Sequence, residues 1–175
     1  LVKDIPKEAA LRGRAEQLLL ALAEMAHGDP QLALTLGNAY LQSGAPAKAE
    51  PWLRRVIAAR PTDADALYQL GKVLRRLGKG DEAIELLRKA RELEPLRQEI
   101  GTELARTFEL THRDVEAAEL YGKLLAEADP SLELRGHAGK FFVRTGKLAE
   151  AGEQGEKILA VDRMNAAGHY LHGEG

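Results

Sequence analysis

The chain has 175 residues, 45% of them hydrophobic and 30% charged, and a formal net charge of −2. That length sustains one domain with a substantial core, and the near-neutral balance gives no bulk attraction to nucleic acid or to a membrane surface. With no cysteine, disulfides and thiol chemistry are excluded.

The segment 1–29 reads as a partial unit ending in a helix, with Ala15, Leu19 and Leu22 at helical spacing. It also holds the longest apolar run, LLLALAEMA, which Glu24 interrupts well short of a membrane span. No membrane insertion is expected within the chain. Because it begins at Leu1 rather than Met, the chain reads as a piece of a longer protein, and its compartment is not legible.

Four similar units follow, over 30–63, 64–97, 98–131 and 132–165. In the first, a second helix starts near Pro46. Pro51 lies inside it and has no N–H for the Ala47 carbonyl, which predicts a kink or a late helix start there. Trp52 is expected in a core-flanking or convex position. The second unit is the most regular: Leu67, Leu70 and Leu74 recur at helical spacing, Gly78-Lys79-Gly80 breaks the pattern, and Ala83, Leu87 and Ala90 resume it. Pro61 and Pro95 stop the second helices of these two units. The third unit places Gly101 where a bulky side chain is expected, reads THRD at its turn, and has its proline, Pro130, one residue late. In the fourth, Arg135 stands where Leu67 stands in the second, Gly155 replaces a bulky residue, and Arg163 replaces the proline. With Gly152 and Gly155 inside a helix, 132–175 is predicted to be the least stable region. Residues 166–175 begin a further first helix.

The units share one register. Gly37, Gly71, Ala105, Gly139 and Gly173 recur every 34 residues, as do Gly44, Gly78, His112 and Gly146, and Ala49, Ala83, Ala117 and Ala151. Small residues in the first and third columns let paired helices approach closely. The second column falls at the end of each first helix, where a left-handed backbone suits glycine. His112 there reads as a turn residue tolerating that backbone.

This pattern resembles the tetratricopeptide repeat, a helix-turn-helix unit of 34 residues. Leu70-Gly71, Ala83 and Pro95 carry the resemblance best, Leu67, Leu74 and Leu87 stand in for the usual aromatics, and Tyr40 fills an aromatic slot. The resemblance implies an all-α, right-handed superhelical solenoid, with the first helices lining its inner face. It further implies a non-catalytic scaffold that holds a partner on that concave surface.

Motifs for nucleotide, phosphate or nucleophilic chemistry are absent from the sequence, and so are strand candidates. No enzyme activity and no cofactor are expected. His169 and His172, three apart and near Glu174, are too few ligands to predict a metal site.

By the resemblance, four columns face the inside: Asn38, Lys72, Arg106 and Lys140; Leu41, Arg75, Glu109 and Val143; Gln42, Arg76, Leu110 and Arg144; and Leu34, Tyr68, Thr102 and Gly136. The expected groove residues are therefore Leu34, Asn38, Tyr68, Lys72, Arg75, Arg76, Arg106, Lys140 and Arg144. The stripe is basic in its middle, and Asp65, Glu99, Glu103 and Glu133 make it acidic nearer the helix starts. Helix macrodipoles account for acids at starts and bases at ends, but less well for Lys72, Arg106 and Lys140 near mid-helix. The carboxylate clamp that some family members use on chaperone tails is not expected, because Leu34, Glu99 and Glu103 occupy its basic slots. The expected partner is an extended, acidic protein or peptide segment. Three other readings stay open. One is an anionic polysaccharide, as in bacterial export systems with such repeats. Another is a recruiting role for an enzyme domain outside this chain. The third is self-association through the solenoid ends.

Overall fold

The computed structural model describes residues 28–127 and 129–173, together with 14, 17, 18, 21, 22 and 24. Ala15, Leu19 and Glu174 lie outside the described residues, and of the three residues expected on the helix within 1–29 Leu22 alone can be placed, in helical conformation like Arg14, Gln17, Leu18, Ala21 and Glu24. The described residues form nine helices and no strand. In chain order they are α1 (Pro30–Gln42), α2 (Pro46–Ala59), α3 (Ala64–Arg76), α4 (Gly80–Leu93), α5 (Gln98–Leu110), α6 (Asp114–Leu125), α7 (Leu132–Arg144), α8 (Leu148–Val161) and α9 (Ala166–His172). The fold is all-α, as the periodicity predicts. Two compact units, residues 1–86 and 87–175, divide the chain within α4.

Each odd-numbered helix starts in the same sequence column. Asp29, Asp63, Ser131 and Asn165 turn their side chains onto the free N–H groups of α1, α3, α7 and α9, at 2.8 to 3.2 Å. Arg97 holds this position at α5 and makes no such cap. Gln98, the first residue of α5, instead ties its side-chain amide to the next connection, donating to the Asp129 carbonyl and accepting from the Ser131 N–H.

The ends of the first helices repeat as well. After α3, the Lys79 N–H donates to the Leu74 carbonyl and the Gly78 N–H to the Arg75 carbonyl, with Gly78 at φ +76°. The same pair of bonds follows α1 at Gly44, α5 at His112 and α7 at Gly146. This is the Schellman closure, which satisfies orphan carbonyls and requires a left-handed residue. His112 meets the requirement at φ 57°, the one non-glycine with positive φ among the described residues.

In unit 1 the core is built from Leu36, Tyr40 and Leu41 of α1, Ala49 and Leu53 of α2, Leu70, Val73 and Leu74 of α3, and Ala83 of α4. Leu53 packs over Gly37, where an added Cβ would lie 2.7 Å from the leucine side chain. Helix α2 runs unbroken from Pro46 to Ala59 with Pro51 inside it, so the late start expected at Pro51 is not observed. Trp52 is half-buried against the core, with the Arg55 guanidinium 4.8 Å from its ring centre.

In unit 2 the Tyr121 and Phe141 rings meet at 5.3 Å, and Phe142 stands edge-on to Phe141. Gly101 leaves no hole: the Leu124 side chain fills the space, 2.7 Å from where a Cβ would be. The Leu53 column continues through Leu87 and Tyr121 to Gly155. There the backbone of α9 moves in, with the His172 N–H nitrogen 2.8 Å and the Gly168 carbonyl oxygen 2.9 Å from an added Cβ. Leu171 of α9 then takes the place over Gly139. Helix α9 ends at His172 on a left-handed Gly173, so Gly173 is a cap and not the mid-helix packing residue that its column implied.

Candidate functional site

The faces that the columns assign to the groove lie on α1 and α3 in unit 1 and on α5 and α7 in unit 2. Helices α1 and α3 lie side by side, tied by the Arg76 guanidinium, which donates to the Leu41 carbonyl at 3.0 Å. That bond engages Arg76 and satisfies a carbonyl at the end of α1. On the same two helices, Leu34 and Asn38 are half-buried, while Leu41 is buried. The Asn38 Oδ1 is fully buried without a hydrogen-bond partner, in a position where an unpaired acceptor is costly. One turn along α3, the Lys72 ammonium sits 5.0 Å from the Tyr68 ring centre. This cation–π contact leaves the charge uncancelled, and Lys72 makes no ion pair among the described residues. Arg75 is half-buried and engaged within the fold.

Unit 2 is different because its acids reach its bases. Arg106 on α5 pairs with Glu103 at 3.2 Å, and Glu103 is 3% exposed, not a free acid on the groove face. Thr102 is also buried, its hydroxyl donating to the Gln98 carbonyl. Arg144 at the end of α7 forks onto Asp114 at 2.8 and 3.2 Å and stands 3.6 Å from Glu109. The hydrogen bond from Arg144 holds the Asp114 carboxyl below its ordinary value. Burial, the largest influence, pushes the Glu109 carboxyl up, against the hydrogen bond it accepts from the Tyr121 phenol at 2.6 Å. The phenol is pushed up in turn, by burial first and by Glu109 second. His137 lies 3.7 Å from Glu133, and burial with the nearby Arg106 lowers its pKa. Lys140 is exposed and makes no ion pair among the described residues.

The predicted site residues thus fall into two groups. Lys72 and Lys140 make no ion pair among the described residues, whereas Arg75, Arg76, Arg106 and Arg144 are engaged within the fold. The two histidines at the end of the chain have separate partners: a ring nitrogen of His169 lies 2.8 Å from the Arg163 carbonyl, and His172 faces Glu156 at 3.8 Å. Among the described residues, no group of three His, Cys, Asp or Glu side chains could hold a metal ion, and no helix is long and apolar enough to cross a membrane.

Solved structures share this arrangement of helices. MamA from Desulfovibrio magneticus superposes with a TM-score of 0.76 at 22% identity, over 94% of each chain. A further MamA crystal structure gives 0.73 at 22% identity, covering 91% of this chain and 95% of its own. A thermophilic tetratricopeptide-repeat protein of Thermus thermophilus gives 0.73 at 18% identity, covering 95% and 93%. At these identities the likeness is one of fold. No curated protein matches the chain. Such folds are typical of protein–protein interaction scaffolds, and scaffolds of this kind are generally non-catalytic. A family model of the tetratricopeptide repeat matches residues 34–97 and again 68–133, more than half of the chain between them. The chain belongs to the tetratricopeptide repeat family.

Proposed function

We propose that the chain is a non-catalytic scaffold that holds an extended, acidic segment of a partner protein against the first-helix face of a repeat. The observation that supports this best is Lys72. It lies near mid-helix, where the macrodipole gives little reason for a base, and its charge is set on the Tyr68 ring without a carboxylate to neutralise it. A partner carboxylate would pair with the ammonium while an apolar side chain rests on Tyr68. Asn38 lies in the same sequence column as Lys72, on the neighbouring α1. Lys140 offers a second uncancelled charge within unit 2.

The test uses Lys72→Glu and Lys140→Glu, singly and together. Arg106 is left in place, because a glutamate there would face the buried Glu103 and confuse folding with binding. Exposed charge contacts contribute about 0.2–1 kcal/mol each, so the double variant should bind an extended acidic peptide about tenfold more weakly. Wild-type affinity should also fall as salt rises, since exposed charges are screened over roughly 8–10 Å. Affinity that ignores both the substitutions and the salt would remove the first-helix face from consideration.

A further inference from the structure

Two sequence columns that otherwise carry no charge and no residue more polar than Trp52 turn polar together in unit 2. One reads Ala33, Leu67, Gly101 and then Arg135; the other reads Trp52, Leu86, Leu120 and then Gln154. The two polar residues find each other: Arg135 of α7 donates to the Gln154 Oε1 of α8 at 3.0 Å, and Gln154 is 4% exposed. An arginine carries five N–H donors, and among the described residues Arg135 makes this one hydrogen bond and no ion pair. Beside it opens a cavity of about 460 Å³. Pro130, Leu132, Ala160 and Val161 give it apolar walls, with Asp129 and Lys157 also contributing to its lining. Lys157 is already paired with Glu153. The guanidinium is therefore the strongest uncommitted donor in a half-apolar recess, held in place by a buried amide.

From this geometry we infer a second binding site, between α7 and α8, that takes a single carboxylate from a protein partner together with the aliphatic side chain next to it. The carboxylate lies in the plane of the Arg135 fork, the geometry in which guanidinium–carboxylate pairs are bidentate. The aliphatic group covers Leu132 and Val161, which are 37% and 73% exposed. Asp129 fixes the sign of the selectivity. Its carboxylate in the lining opposes a dense polyanion but tolerates one negative group flanked by neutral ones. The site is independent of the first-helix face in unit 1, and either can fail without the other.

The probe is the blocked tripeptide acetyl-Leu-Glu-Leu-amide, titrated into the isotope-labelled full chain and followed by amide chemical shifts. Shifts are expected within 129–135 and 154–161, and the same peptide with Gln for Glu should bind about tenfold more weakly. Arg135→Gln should abolish that preference. Because this change also disturbs Gln154, the pair Arg135→Leu with Gln154→Leu is made in parallel. It restores apolar residues to both columns and should fold at least as well while losing the preference. Asp129→Asn should tighten binding about twofold, and Lys72→Glu should leave it unchanged. Equal binding of the Glu and Gln peptides, shifts outside this region, undiminished preference in the folded double variant, or stronger binding of dextran sulfate than of the peptide would each overturn the proposal.

Discussion

His112 shows what one side chain costs when a repeat imposes its backbone on it. Three of the four Schellman closures after a first helix use glycine, and the fourth forces an L-residue to φ 57°. The left-handed region costs such a residue roughly 1–2 kcal/mol, against about 0.5–1 kcal/mol for the extra freedom glycine loses on folding. His112 is exposed, and its side chain makes no hydrogen bond among the described residues. His112→Gly should therefore stabilise the protein by about 0.5–1 kcal/mol, read as a rise in thermal midpoint; a fall would mean that the imidazole has a role that the backbone does not reveal. Glu50 is the opposite case, a side chain made favourable by its neighbours. It accepts from Lys79 at 2.7 Å and from Arg54 at 2.8 Å, and Arg54 reaches on to Glu82. The Lys79 hydrogen bond is the main reason its pKa falls below the ordinary 4.5. A carboxyl depressed in the folded state binds fewer protons there than in the unfolded chain. Its stabilisation is present above about pH 4.5 and is lost as the pH falls through the lower folded value. Glu50→Gln should cost about 1 kcal/mol at neutral pH, because its partners are nearly half exposed, and the gap to wild type should close in acid. A gap that stays constant across that range would assign the cost to packing.

At the scale of elements, the columns made the helix pairs and their turns legible, because small residues and left-handed turns leave a periodic trace. The N-cap column of Asp29, Asp63, Ser131 and Asn165 was equally periodic, but its members differ in type, and only their shared ability to accept from an N–H unites them. Helix α2 does not start late at Pro51 because the missing hydrogen bond is a local loss, whereas Leu53 and Val56 beyond it are fully buried and hold the helix. Which bases of the expected groove stripe are paired was not legible in the sequence. Which base is neutralised depends on rotamers and on neighbouring helices, as Arg106 and Arg144 show. Gly155 is the sharpest case of a residue whose meaning lies in another element. It reads as a missing side chain, yet the backbone of α9 occupies the space. Gly152, three residues earlier on α8, has nothing within 4 Å of an added Cβ. The two glycines should therefore respond with opposite signs. Gly152→Ala should stabilise by up to about 1 kcal/mol, the ordinary helix preference. Gly155→Ala should destabilise by roughly 1–3 kcal/mol, because a backbone cannot move aside as a side chain can. Thermal melts of the two variants decide this, and equal signs would show that α9 does not pack as described.

Over the whole molecule, stability follows from who touches whom. Within each unit, and among the described residues, helices contact the next helix or the next but one, so each pair's stability rests on its own packing and on its immediate neighbours. Opening is then graded, and the order can be read from burial. Helix α3 buries seven of its thirteen residues, Ala64, Ala66, Leu67, Leu70, Gly71, Val73 and Leu74. Helix α9 is seven residues long, buries Gly168 and Leu171, and leaves Tyr170 59% exposed. A helix this short is marginal by itself, and its persistence depends on Leu171 seated over Gly139 and on the contact with Gly155. Releasing it exposes little apolar surface, so its amides should exchange first. Helix α8 should follow, since losing α9 uncovers Gly155 and leaves Gln154 and Arg135 among its remaining buried contacts. The amides of α3 should exchange last, at a free energy close to that of global unfolding. Amide exchange on the intact chain measures this order directly. Gly155→Ala should bring α8 and α9 down together while α3 keeps its protection. If α3 and α9 exchanged at one common rate, the molecule would open as a single cooperative body, and the neighbour-by-neighbour account of its stability would have to be abandoned.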